Sequence, residues 1–302
     1  FNCGKEQVLV GNGAAELIFG LFAEWTGTIG VVYPTFNEYP ERMKKAEVVP
    51  FVPENADFAY TADDLKRFSR QVESLVLINP DNPSGHLLPK EGVLDLLEWL
   101  DAQGKNLILD ESFIDFSDGG SANSLVDPAI LDRFSRLLII KSISKSYGVP
   151  GVRLGVAFSS NRDFLARIKA QLSIWNINSF GEFFLQIINK YEADYAVACQ
   201  KLVAERAWLS RELACIPFLR IISSQANYLL CEVRPPWAAS TLVRELLNRY
   251  DLFLKDCTGK KGFEEKQYVR IAVRNREDNA LLVKGILALG APVSGGADVR
   301  GK

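Results

Sequence analysis

Excess charge of one sign is the first thing this sequence lacks. Lysine and arginine number 35 against 37 aspartates and glutamates, a net charge of −2, which gives no bulk attraction for nucleic acid or an anionic membrane. Recognition of phosphate must then be local, and a small molecule is the expected partner. Cysteine is sparse: Cys3, Cys199, Cys215, Cys231 and Cys257 are an odd number with no CxxC among them. Neither a disulfide framework nor a zinc site is indicated, and a reducing cytoplasm is the default expectation. No apolar run reaches the roughly 18 to 20 residues of a membrane span, and no charged-then-apolar leader opens the sequence. Phe1 stands where a Met would begin a gene product, so the true N-terminus is expected elsewhere. Histidine occurs once, at His86.

What is present is a core-forming composition, 48% hydrophobic and 24% charged over 302 residues, enough for one large or two smaller domains. Short apolar runs punctuate the first half: IGVVYP at 29–34, SLVLINP at 74–80, KNLILDE at 105–111, RLLIIKS at 136–142 and LGVAFSS at 154–160. Amphipathic stretches such as EGVLDLLEWLDAQ at 91–103 lie between several of them. That alternation predicts an α/β fold with a mostly parallel central sheet sandwiched by helices. In such sheets ligands sit at the carboxyl ends of the strands. From about 161 the pattern turns helical, with one long helix expected near 181–213 as a bridge. The strand-like FLRIISS, ANYLLCEV and QYVRIAVR follow among further helices. The expected division is a large domain over 1–205, a smaller C-terminal α+β domain over 206–292 and a flexible tail over 293–302.

Three strand ends carry polar residues. Asn82 follows LVLI within NPDNPSG, Asp110 ends NLILD, and Lys145 follows RLLII within KSISK. Asn82 and Asp110 are 28 positions apart, Asp110 and Lys145 35. Each interval holds one strand-helix crossover, so all three are expected at one sheet edge. Singly, each has a plain structural reading: an Asn-Pro turn, a helix cap, a solvated lysine. A further feature makes the set chemical. GNGAAELIFGLFAEW at 11–25 reads as a strand, a Gly turn and a helix whose first amides, at Gly13, Ala14 and Ala15, form an anion site with the helix dipole. Arg153 and the hydroxyls of Ser142 and Ser144 add charge-assisted bonds to the same anion.

The set NPDNPSG, LILDESFIDF, SISKSYGVPGVRLG and YVRIAVR, spread in this order over about residues 8–290, resembles the pyridoxal-phosphate aminotransferases of fold type I. Histidinol-phosphate aminotransferase and threonine-phosphate decarboxylase are in that class. The S-x-S-K-x-x-G-x-x-G-x-R-x-G pattern at 142–155 is the most specific part of the likeness. The resemblance implies pyridoxal 5′-phosphate as cofactor. Lys145 is then the residue joined to its aldehyde as a Schiff base, later moving a proton between the substrate Cα and the cofactor C4′ carbon. Asp110 becomes the partner of the pyridine nitrogen, Asn82 the amide on the 3′ oxygen, and Phe36 in YPTFNEY the stacking aromatic, with Tyr39 nearby. The same resemblance assigns Arg270 to a substrate carboxylate and Arg274 to a second anion. It also faces Asn227 toward the substrate and sets Trp175 and Asn178 at the mouth of the site. Core packing for Phe36 and Trp175, and an ordinary salt bridge for Arg274, are the alternative readings. His86 is expected to be a bystander, because Lys145 already does the acid-base work.

The sequence departs from the family pattern twice. Where relatives carry a tyrosine three residues after the ring-pairing aspartate, this sequence has Phe113 in the cofactor pocket, leaving Asn82 as chief partner of the 3′ oxygen. The family's N-terminal arm is missing from the sequence given, so one expectation is the aminotransferase unit of a nucleotidyltransferase fusion protein of phosphonate metabolism. The expected reaction is transamination between a small amino donor and an oxo acceptor. The substrate is expected to be phosphorylated or a phosphonate, since Arg270 and Arg274 offer two positive anchors. Decarboxylation of a phosphorylated amino acid is the alternative, favoured by Phe113 and RIAVR, and a cofactor-binding regulatory domain is a third reading. A cytoplasmic homodimer with no metal, nucleic-acid or membrane partner completes the expectation.

Overall fold

The computed structural model describes residues 3–290, so the tail expected over 293–302 lies outside the described residues. The chain divides into two compact units. The first runs to Val203 and takes in Ser223–Asn227, and the second comprises Ala204–Ile222 and the chain from Tyr228 onward.

The first unit is built on seven strands: β1 (Val8–Gly11), β2 (Thr28–Val32), β3 (Glu47–Phe51), β4 (Ser74–Ile78), β5 (Asn106–Asp110), β6 (Leu137–Lys141) and β7 (Gly155–Phe158). Their spatial order is β1-β7-β6-β5-β4-β2-β3. Strands β2 to β6 run parallel, and β7 is antiparallel to both of its neighbours, β6 and β1. The helices Ala62–Ser69, Lys90–Ala102 and Pro128–Arg133 supply the crossovers that parallel pairing requires. Between β6 and β7 there is no such crossover. That segment is spent on the short helix Ile143–Ser146 and the loop bearing Arg153, and the chain re-enters the sheet reversed.

Strands β4 to β6 are almost wholly apolar because both of their faces are covered. Leu75, Leu77, Leu107, Leu109, Leu137 and Ile139 pack into one layer with Leu96, Leu100 and Phe134. Val76, Ile78, Ile108, Leu138 and Ile140, the alternate positions, pack into the other with Leu17, Phe22 and Ile168. Each such side chain contributes up to about 1.5–3 kcal/mol by leaving water, so the centre of the sheet is a stiff platform. Ile78 stands opposite Asp110, and Asp110 opposite Ile140. The chain therefore leaves β4, β5 and β6 along one edge, and β1, which runs the same way as β6, opens its Gly turn there too.

The second unit is a four-stranded antiparallel sheet of β8 (Leu219–Ile222), β9 (Tyr228–Val233), β10 (Lys255–Asp256) and β11 (Gln267–Ala272), in the order β10-β11-β9-β8. The helices Ala239–Tyr250 and Arg276–Leu289 accompany it. The single helix expected over 181–213 is instead Ser179–Ile187, a 3-10 turn Ile188–Tyr191 and Glu192–Ala214. β-Branched Ile187 and Ile188 followed by Asn189 weaken the helix, while Glu192 and Asp194 favour a fresh N-terminal turn. Among the described residues no helix is long and apolar enough to cross a membrane.

Candidate active site

Lys145 projects from the helix Ile143–Ser146, one turn beyond β6, and is exposed. Its Nζ lies 4.8 Å from the centroid of Phe36 and 4.9 Å from that of Phe113. An ammonium over aromatic faces is attracted to them, so the two rings hold the amine at a defined place. Phe36 arrives from the loop after β2 and Phe113 from the turn after β5, which is why neither position lies near Lys145 in sequence.

Asp110, the last residue of β5, is buried, 4% exposed. Its Oδ2 accepts from the Tyr39 hydroxyl at 2.8 Å and its Oδ1 from the Ser112 amide at 2.9 Å. Burial, with the adjacent carboxylate second, holds the Tyr39 phenol well above its ordinary pKa. Ser112 also ties the neighbouring strand end, its hydroxyl accepting from the Ser142 amide at 3.0 Å. Asn82, 5% exposed, sits in a loop braced on both sides. Asn79 exchanges two hydrogen bonds with the Leu88 backbone at 2.8 and 2.9 Å, and Asp81 accepts from the Ser84 amide at 3.1 Å. The segment Ser223–Asn227 docks onto these loops. The Gln225 amide donates to the Gly85 carbonyl at 2.8 Å, and its side chain pairs with Asp118 at 2.8 and 2.9 Å. Asn227 is half-buried at the end of that segment.

The anion cradle forms where β1 turns into the helix Ala14–Phe22. Gly13 is the residue before it, at φ +97°, a left-handed conformation that glycine alone adopts without strain. The first-turn amides of Ala14 and Ala15 have no acceptor within the helix. Arg153 reaches across this turn, donating to the Asn12 carbonyl at 3.3 Å and to the Pro150 carbonyl at 3.4 Å. A Cβ on Gly13 would overlap the Arg153 guanidinium, and one on Gly155 would overlap the Ala14 amide. Cation, helix N-terminus and small residues are thus pressed together, the combination that binds phosphate. Ser142 stands at the start of the helix Ile143–Ser146. The Ser144 hydroxyl is engaged with the Leu154 backbone, accepting from its amide at 2.8 Å and approaching its carbonyl at 3.3 Å. It braces the lysine turn against β7.

A model of the family described as aminotransferase class I and II matches residues 2–286. The chain belongs to that family. It is 31% identical over 300 residues to CMP-5'-(3-aminopropyl)phosphonate synthase of Streptomyces rubellomurinus, covering 98% of this chain and 47% of that protein. It is 32% identical over 292 residues to L-serine phosphate decarboxylase of Sulfurospirillum multivorans, covering 94% and 74% respectively. The solved structure of histidinol-phosphate aminotransferase from Clostridium acetobutylicum is similar with a TM-score of 0.84 at 28% identity, over 94% of this chain and 83% of that one. The chain spans about half the length of the first of these relatives.

Class I and II aminotransferases are pyridoxal 5′-phosphate enzymes of fold type I, and the fold and cofactor expected from the resemblance stand. The residues of this aminotransferase-family chain fit the group: an anion cradle closed to any Cβ, a buried carboxylate with one donor on each oxygen, and an amine between two rings at the same sheet edge. Each of the other candidates has its own surroundings. The Asn178 side chain caps the helix Ser179–Ile187, accepting from Gly181 N at 2.9 Å, and donates to Val152 O at 3.0 Å. Arg270 and Arg274 are in the second unit. The Arg270 guanidinium lies 4.9 Å over the Tyr228 ring, and Arg274 pairs with Asp278 at 2.6 Å. His86 is a structural residue, its Nε2 3.0 Å from the Tyr60 carbonyl and its ring 4.4 Å from that of Tyr60.

Sequence reasoning missed the Tyr39 bond to Asp110 and the buried pair of Lys141 and Asp115 with half-buried Tyr195 beside it. DESFIDF and YPTFNEY contain Asp110, Asp115 and Tyr39, but nothing in either stretch says what they meet. Glu111 was missed as well. It is buried, its pKa raised by desolvation, and it accepts from Ser124 and from the Leu125 amide at 2.7 Å.

Proposed function

We propose that the chain transfers an amino group between a small amino donor and an oxo acceptor, with a substrate that carries a phosphate or phosphonate. The observation that carries this reading is the meeting of Lys145, Asp110 and the Gly13–Arg153 cradle on one edge of the sheet. When bound, pyridoxal phosphate supplies an electron sink for negative charge developing at the substrate Cα. The chain's own residues supply the rest. Arg153, Ser142 and the amides of Ala14 and Ala15 hold the cofactor phosphate, and Asn82 donates to the 3′ oxygen. The Asp110 carboxylate accepts from the ring nitrogen and keeps it protonated. Phe36 covers one face, and the Lys145 amine moves the proton at the substrate Cα. Arg270 and Arg274 are the proposed anion contacts, with Asn227 and Asn178 as further substrate neighbours. The likeness to a phosphonate synthase and a serine phosphate decarboxylase supports an anionic substrate of this kind.

Decarboxylation of a phosphorylated amino acid is the second reading, supported by the serine phosphate decarboxylase relative and by Phe113 at the amine. Incubation with an aminoalkylphosphonate and 2-oxoglutarate separates the two. Glutamate formation is expected. Carbon dioxide release from L-serine phosphate without amino transfer overturns transamination in favour of the second reading. We also propose a homodimer, supported by Ile174, Trp175 and Phe180, neighbours in sequence that expose 96%, 94% and 80% of their surface, apolar groups of the kind an interface covers. Sedimentation as a stable, active monomer contradicts it.

A further inference from the structure

We infer that Tyr39 is a positioning residue for the cofactor ring, holding the Asp110 carboxylate through its hydroxyl and the Phe36 ring through its edge. The inference rests on the cofactor assignment above. Tyr39 is carried by the short helix Glu38–Arg42 and is fully buried. Its hydroxyl donates to Asp110 Oδ2 at 2.8 Å while the Ser112 amide donates to Oδ1 at 2.9 Å. One donor on each oxygen prevents the carboxyl plane from turning and leaves each oxygen a second acceptor site, which a ring N–H can use.

The phenol acts here as a donor, since burial and the neighbouring carboxylate keep its proton in place. The carboxylate that this donor holds in place would favour a protonated pyridine nitrogen beside it. The body of the same side chain meets Phe36 edge to face, centroids 6.5 Å apart at 77°, and is backed by Phe22 at 6.1 Å and 75°. A single side chain thereby sets the group that meets the ring nitrogen and the group expected to cover the ring face. The spectroscopic consequence has a definite sign. A protonated ring nitrogen repels a proton at the Lys145 nitrogen, so weakening Asp110 lets that proton persist to higher pH.

The test uses the holoenzyme, Tyr39→Phe, Asp110→Asn and the double variant. Affinity for pyridoxal phosphate is read by fluorescence titration, the pH midpoint of the bound cofactor's visible absorbance by spectrophotometry, and folding by thermal denaturation of the cofactor-free proteins. Tyr39→Phe is expected to raise the apparent Kd about tenfold, the scale of one hydrogen bond to a charged group, and to move the midpoint upward. Neither change should recur when Tyr39→Phe is added to Asp110→Asn. Tyr39→Met, which fills the space without a hydroxyl, serves in the same way should Tyr39→Phe not fold. A variant with wild-type Kd and midpoint overturns the inference, as does an equal loss in the Asp110→Asn background, which marks a merely structural role. Wild-type protein that takes up no pyridoxal phosphate overturns the cofactor reading itself, a different outcome on a different sample.

Discussion

The Lys141 ammonium donates to Asp115 Oδ1 at 2.8 Å, with the two side chains only 4% and 5% exposed. Oδ2 of the same carboxylate accepts from the Tyr195 hydroxyl at 2.9 Å. Lys141 ends β6, so the pair anchors the base of the turn that carries Lys145. Two buried charges recover their desolvation cost only while they face each other. Asp115→Asn is predicted to lower unfolding free energy by about 3–5 kcal/mol, measured as a reduced urea midpoint. Replacing both residues, Lys141→Met with Asp115→Leu, should recover most of that loss.

Gly155→Ala is predicted to cost about 1–3 kcal/mol by overpacking, because the added methyl meets the backbone of Gly13 and Ala14, which cannot swing aside as a flexible side chain would. Thermal unfolding measures the cost. Titration with pyridoxal phosphate should show weakened binding in the same variant, since the displaced backbone is the proposed phosphate cradle.

Lys145→Ala should abolish the cofactor mass increment that borohydride reduction leaves on this residue in the wild-type protein. Turnover should fall by at least about 10²–10⁴-fold, the usual contribution of a positioned proton carrier. Retention of the increment at another residue would remove Lys145 from its assigned role.

The pH dependence of stability just below about 6.5 should follow His86. Burial lowers its folded-state pKa from the usual 6.5, with the Tyr60 contact opposing. The unfolded chain binds a proton there that the native state resists, so the stabilisation is complete above about 6.5 and is lost as pH falls toward the lowered folded value. Urea midpoints should drop over this window in the wild type and drop less in His86→Gln.

Arg274→Ala should separate anchoring from stability. The Arg274 side chain is 69% exposed in its pair with Asp278, so its removal should cost less than about 1 kcal/mol. KM for a phosphonate or phosphorylated substrate should nonetheless rise about tenfold or more, the loss of one charged contact. An unchanged KM would return Arg274 to an ordinary surface ion pair.

Much of the fold and part of the site were legible in the sequence. The short apolar runs and the crossover-length intervals put Asn82, Asp110 and Lys145 at neighbouring strand ends, and β4, β5 and β6 lie side by side with their ends in register. The meeting of Gly13 and Arg153 was legible as well, because a Gly turn before a helix has the same electrostatics wherever it occurs. Other features were not. The bonding of the Ser144 hydroxyl to the Leu154 backbone is one of them. The hold of the Asn178 amide on Val152 and on the helix it caps is another.

Strand identity and the place of Lys145 just beyond a strand end were therefore determined by the chain itself, because apolar runs and crossover length are local properties that survive without knowledge of neighbours. Only the tertiary structure decided that Tyr39 would hold Asp110 from 71 positions away, that Phe36 and Phe113 would flank one amine, and that β7 would turn back. Hydroxyls and amides bond to whichever partner packing brings within reach, and that choice is made across the whole core at once rather than along any stretch of sequence.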